Sequence, residues 1–158
     1  MIRDMLAGAI AGGIATLAMS PFMAPRVTRS LAEVVPDAVP LEEFPPRRVV
    51  QEAEAKVSDG ELLSERAEDV ATWVSHVAFG MGMGALYGAV ARPMPRDTGA
   101  ITGTAFGLTV WAVSYLGWLP VFGVSTGTAS GHPDKLPFPF VAHVVYGLTT
   151  GVVYDRLR

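Results

Sequence analysis

The chain has 158 residues, half of them hydrophobic and 17% charged, with a formal net charge of −3 and no cysteine. The missing cysteine excludes disulfides, thiolate zinc sites, iron–sulfur clusters and thiol nucleophiles. Mild acidity, with no basic run longer than Arg47-Arg48, speaks against a nucleic-acid partner.

The length is that of one domain. A mean hydropathy of +0.35 and 17 glycines lean toward helical membrane proteins. In chain order, the first apolar run is free of charge from Met5 to Pro25. Its roughly 21 residues make about 31 Å of helix, enough for a hydrocarbon core of about 30 Å. Arg3 ahead of the run also fits a cleaved signal peptide. The length, and the stripe Gly8, Gly12, Thr16, Ser20 at four-residue spacing, favour a retained span packed on another helix. Ser20-Pro21 and Pro25 are expected to kink and end it.

Residues 26–69 hold six of the twelve Lys/Arg and eleven of the fifteen Asp/Glu, so this insertion belongs in water or at the membrane surface. Val27, Leu31, Val34 and Val35 share one helical face, and Pro36, Pro40, Pro45 and Pro46 then predict an extended linker. Pro46 suits the start of a helix through about Val57, closed by Ser58-Asp59-Gly60. A further helix from about Glu61 should run unbroken into the second span, and the insertion is either a plain connection or a lid over the membrane domain. The second span is 70–91, a tight turn follows at 92–97, and the third span is 98–118, ended by Pro120. A Gly/Pro/Ser/Thr-rich loop leads to the fourth span, 138–154, and the chain closes on Asp155-Arg156-Leu157-Arg158.

Trp73 to Tyr87 aligns without gaps on Phe140 to Tyr154, and Gly99-Ala100-Ile101-Thr102-Gly103 echoes Gly8-Ala9-Ile10-Ala11-Gly12. The expected fold is therefore an all-α integral membrane four-helix bundle of two tandem two-span repeats. An even number of spans per repeat predicts a parallel pseudo-twofold axis along the membrane normal. The second and fourth spans then run the same way, with His76 and His143 at one depth. Trp73, Trp118, Phe138 and Phe140 are expected to mark one interface, and Tyr87 and Tyr154 the other. Arg3, Arg92, Arg96, Arg156 and Arg158 near span ends favour both termini in the cytoplasm.

Gly8-Ala9-Ile10-Ala11-Gly12-Gly13, His76-Val77-Ala78-Phe79-Gly80, the run Trp111 to Pro120, and Ala142-His143-Val144-Val145-Tyr146-Gly147 together resemble the DUF1440/YagU-like and DUF6789-type proteins. These are small polytopic bacterial membrane proteins without an established activity. The motifs cover the four spans and not the acidic insertion. The resemblance implies a bacterial inner-membrane location and leaves function open.

The paired histidines carry the sharpest chemistry. His76, Gly80, Gly84 and Gly88 share a helix face, as do His143, Gly147 and Gly151. Each imidazole can simply bond a neighbouring helix. Alternatively His76 and His143 are axial ligands of a b-type haem, with Gly80, Gly84, Gly147 and Gly151 leaving room for the porphyrin. The two uses of the glycines exclude each other, because tightly packed backbones leave no slot. A simple metal at His76 and His143 lacks ligands unless His132 and Asp134 join from the loop. Gly-x-Ser-x-Gly, His-Glu-x-x-His and P-loop signatures are absent, so hydrolytic catalysis finds no support. Thr102, Thr104, Thr109, Ser114 and Tyr115 give the third span a polar element suited to a small solute. Glycine faces also suit a homo-oligomer or a partner membrane protein. The leading expectation is a non-enzymatic binding, transport or accessory protein in the lipid bilayer, with haem-based electron transfer as the alternative.

Overall fold

Five α-helices and no strand occur among the residues described by the computed structural model: 1–22, 45–57, 63–121 and 137–158, the side chains of 137 and 138 excepted. Helix α1 (Ile2–Met19) tightens into a 3-10 turn at Ser20–Phe22, where Pro21 withholds a backbone donor. Helix α2 (Pro45–Val57) opens on two prolines, whose missing N–H groups cost nothing in a first turn. Helix α3 (Glu65–Ala91) is capped by the Ser64 hydroxyl, which accepts the Ala67 N–H at 3.4 Å, and carries Glu65 and Glu68 at its positive end. A turn follows in which Asp97 adopts φ 72°, a conformation that Asp tolerates.

Helix α4 (Gly99–Val113) does not end at Trp118. It passes through a π-helical turn, Ser114–Trp118, and one further turn, Leu119–Val121. The Leu119 N–H reaches back five residues to the Ser114 carbonyl, and the widened register carries the helix across Pro120. Helix α5 (Pro137–Leu157) completes the set. The segments Ile2–Phe22, Glu65–Ala91 and Gly99–Val121 are long and apolar enough to cross a membrane. Their outward residues fit lipid: Leu6, Ile10, Leu17, Val74, Ile101 and Leu116 all stand exposed.

Glycine decides the packing. A Cβ built on Gly84 of α3 would lie 2.7 Å from the Gly12 Cα of α1, and one built on Gly12 would lie 2.9 Å from the Gly84 Cα. The same geometry joins α4 to α5, where a Cβ on Gly103 or Gly107 would come 2.7 Å from the Cα of Gly151 or Gly147. Backbones meet directly in both seams, which lets dispersion act along the whole contact without ordering any side chain.

Side chains join one pair to the other. Ala7, Ala11, Tyr87, Ala91 and Tyr154 form one buried cluster, and Ala15, Met19, Ala142 and Tyr146 a second. The Tyr146 hydroxyl donates to the Gly80 carbonyl at 2.7 Å and the Tyr154 hydroxyl to the Gly88 carbonyl at 3.1 Å, tying α5 to α3. Tyr87 and Tyr154 are thus core residues, 2% and 0% exposed and packed edge to face at 5.4 Å. They do not form an outward aromatic girdle, because each phenol finds an acceptor inside the protein, Tyr87 on Thr102 at 2.8 Å.

The start of α1, the α3–α4 turn and the end of α5 meet at one end of the molecule. Arg158 donates to the carbonyls of Ala91, Met94 and Pro95, and Arg92 stands 3.9 Å from Asp4. The expected helical face at Val27, Leu31, Val34 and Val35, the Pro36–Pro40 linker, the Ser58-Asp59-Gly60 stop, the loop with His132 and Asp134, and the Phe138 side chain lie outside the described residues.

Candidate functional site

At the opposite end, where Tyr146 crosses to Gly80, the helices do not close on one another. A cavity of about 240 Å³ remains, and every helix contributes to its wall. α1 supplies Thr16 and Met19, and α2 supplies Pro45, Pro46 and Val49. Ser75, His76, Phe79 and Gly80 come from α3, and Val110, Ser114, Tyr115, Trp118 and Leu119 from α4 with its π-helical extension. His143 and Tyr146 come from α5. The wall is mostly apolar, with two imidazoles and a few hydroxyls set into it.

The two aligned stretches of sequence supply equivalent positions to this wall. His76 and Phe79 in the first correspond to His143 and Tyr146 in the second. The spacing of three puts each pair on one helix face. Both histidines therefore reach one space, from helices that run in the same sense. His143 is 7% exposed, stands edge-on to Tyr115 at 5.7 Å, and its Nδ1 lies 2.7 Å from the Pro139 carbonyl oxygen. A carbonyl only accepts, so Nδ1 carries the proton, and in the neutral ring Nε2 is the acceptor. His76 stands edge-on to Trp73 at 6.2 Å.

Gly80, Gly84, Gly147 and Gly151 are not gathered around the imidazoles. Gly84, Gly147 and Gly151 lie in the helix seams against backbone, and Gly80 meets the Thr16 side chain. Of the four only Gly80 touches the cavity. The glycine faces are likewise filled from within the chain, while Gly82 and Gly117 have no neighbour within 4 Å of a Cβ position. Among the described residues no group of three His, Asp or Glu could hold a metal ion. Thr104 and Thr109 donate to their own helix at the Ala100 and Ala105 carbonyls, away from the cavity, whereas Ser114 and Tyr115 line it.

Helix α2 is placed by charge. Arg47 of α2 bridges Glu68 (Nε 3.1 Å, Nη2 3.2 Å) and Asp69 (Nη1 3.1 Å) of α3, and the Gln51 amide donates to Glu68 at 2.6 Å. The fork of a guanidinium fixes direction as well as distance. It turns Val49 inward, where it packs on Tyr115 and Leu119. Tyr146, Met19 and Val49 were not singled out by sequence. Tyr146 carried a signal, its place three residues after His143, whereas Met19 and Val49 owe their positions to tertiary packing alone.

The described residues are helical, and three helices long and apolar enough to cross a membrane, with a mostly apolar cavity opened among them, are consistent with a helical membrane protein. The chain belongs to the family of unknown function DUF6789, whose model matches residues 2–158. The match runs through the acidic insertion, beyond the four spans to which the sequence motifs confined the resemblance. Comparison with curated proteins and with solved structures gives no match.

Proposed function

We propose that this protein is a non-enzymatic, membrane-embedded binding protein that holds a small, mainly apolar molecule in the cavity beneath α2. The observation that carries this reading is the cavity itself, about 240 Å³ and walled by all five helices including the lid. An apolar cavity of about 150 Å³ suffices for benzene, and drug-sized sites run from roughly 300 Å³ upward. The occupant is accordingly of the size of two fused rings. In the same proposal α5 is a fourth span, the two glycine-seamed pairs are tandem hairpins, and the protein lies in a bacterial inner membrane with both termini cytoplasmic. Support comes from the aligned sequence stretches and from the gathering of Arg92, Arg96 and Arg158 at one end. Exchange of the occupant with the bilayer would make the protein a carrier or an accessory to a partner.

Thermal unfolding of the protein in lipid nanodiscs, with and without naphthalene, tests the binding reading. A rise in midpoint that grows with ligand concentration is expected, and Val49→Trp, which fills the cavity from α2, should abolish it. No rise in the unsubstituted protein would refute the proposal.

One observation favours a second reading, haem ligation by His76 and His143. A ligating imidazole usually donates its other N–H to a carbonyl or carboxylate, as His143 does to Pro139. Against it stand the cavity's size and the occupied glycine faces. Oxidised and dithionite-reduced visible spectra of protein from haem-sufficient cells separate the two. A Soret band lost in His76→Ala and in His143→Ala would establish the cytochrome, and a featureless spectrum removes it.

A further inference from the structure

Three hydroxyls of the cavity wall have their proton already engaged. The Thr16 hydroxyl donates its proton to the Gly12 carbonyl at 2.8 Å, Ser75 to Thr72 at 3.0 Å, and Tyr146 to Gly80 at 2.7 Å. A hydroxyl has one proton and two lone pairs, so each of these can offer an occupant only an acceptor. His143 adds the strongest of them. Its Nδ1 proton is engaged by Pro139, so the neutral ring of this cavity-lining residue offers Nε2 as an acceptor. The Ser114 oxygen already receives the Trp118 indole N–H at 3.3 Å, which takes up a donor that the wall would otherwise present.

Taking the cavity reading above as its basis, we infer that this site selects small aromatic or alicyclic molecules bearing a hydrogen-bond donor, a hydroxyl or an N–H, received at Nε2 of His143. Molecules of the same size that carry only an acceptor, such as a ring nitrogen or a ketone, gain nothing there. At that nitrogen their lone pairs meet a lone pair, which replaces none of the water they lose on entry. The selected class comprises phenols, alcohols and indole-like amines. A quinone is disfavoured relative to its own quinol.

The test is isothermal titration of the full chain in nanodiscs at pH 8 with 2-naphthol, naphthalene and quinoline, each corrected for partition into empty nanodiscs. The three share one shape and differ in carrying a donor, neither group, or an acceptor alone. 2-Naphthol should bind roughly three- to tenfold more tightly than naphthalene, the equivalent of one net hydrogen bond, and quinoline no more tightly than naphthalene. His143→Phe keeps an aromatic ring at the position and should remove the naphthol advantage while leaving naphthalene binding in place. Quinoline gaining as much as naphthol overturns the inference. An undiminished naphthol advantage in His143→Phe overturns the assignment to that ring. Failure of all three compounds to bind would instead sink the underlying cavity reading.

Discussion

Replacing Gly84 by alanine puts the packing argument at risk most directly. The new Cβ would stand 2.7 Å from the Gly12 Cα and 2.9 Å from its nitrogen, and closer still to the Gly8 carbonyl oxygen. Ordinary contact begins near 3.4 Å, so α1 must withdraw by about 0.7 Å at Gly12 and further at Gly8. The obstruction is backbone, which cannot rotate aside, and α1 must give up contact along the rest of the seam. Overpacking costs about 1–3 kcal/mol, and an unyielding neighbour places this case at about 3 kcal/mol. Gly82, two residues earlier on the same helix, is the control. A Cβ there meets nothing within 4 Å, so alanine gains about 0.5–1 kcal/mol of helix propensity. The two variants should therefore differ by roughly 3–4 kcal/mol in opposite directions from the parent. SDS-driven unfolding in mixed micelles, followed by far-ultraviolet circular dichroism, reads the difference. If Gly84→Ala proves as stable as Gly82→Ala, α1 and α3 are not in backbone contact and the seam is wrong.

Tyr146→Phe removes a buried hydroxyl that reaches from α5 to the Gly80 carbonyl, and should lower stability by about 0.6–1 kcal/mol in the same SDS titration. An unchanged midpoint would mean that this cross-link contributes nothing. The absence of native cysteine makes a lid assay clean: with Val49→Cys as the sole thiol, maleimide labelling should run about tenfold faster when Arg47→Ala removes the bonds to Glu68 and Asp69. Equal labelling rates would show that the guanidinium does not hold α2 over the cavity.

Much of the scaffold could be read from residue order alone, for physical reasons. Membrane-length apolar runs are set by bilayer thickness, so α1, α3 and α4 were visible as continuous stretches. The change of helix at Ser20-Pro21, the helix start expected at Pro46 and found one residue earlier, and the 92–97 turn followed from missing N–H groups. The spacing of Gly8, Gly12, Gly80, Gly84, Gly103, Gly107, Gly147 and Gly151 announced close contact, but a bare face fits another helix as well as a flat ring. Only the partner settles which: for Gly80 it is first the Thr16 side chain, and for the other seven it is backbone. The π-helical turn at Ser114–Trp118 was hidden because it is a one-residue change of register, so Pro120 looked like a terminator. Tyr87 and Tyr154 were misassigned to an interface since amphipathic residues near a span end satisfy either role. The cavity could be half seen. His76, His143, Ser114 and Tyr115 stood out as polar residues in apolar helices and Thr16 as part of a small-residue stripe, while Met19 and Val49 reach it from faces that nothing local distinguishes.

The contrast between the seams and the joints between them has a mechanical consequence. Within each pair, glycine backbones bear on each other without an intervening side chain, so neither pair can slide or breathe without a collision. Between the pairs lie methionine, alanine and ring faces, with hydroxyl links that reform after a small translation. The two pairs are accordingly expected to behave as stiff planks, joined along a line that yields before either seam does. Because the cavity draws its walls from both planks, its capacity is set by their relative tilt.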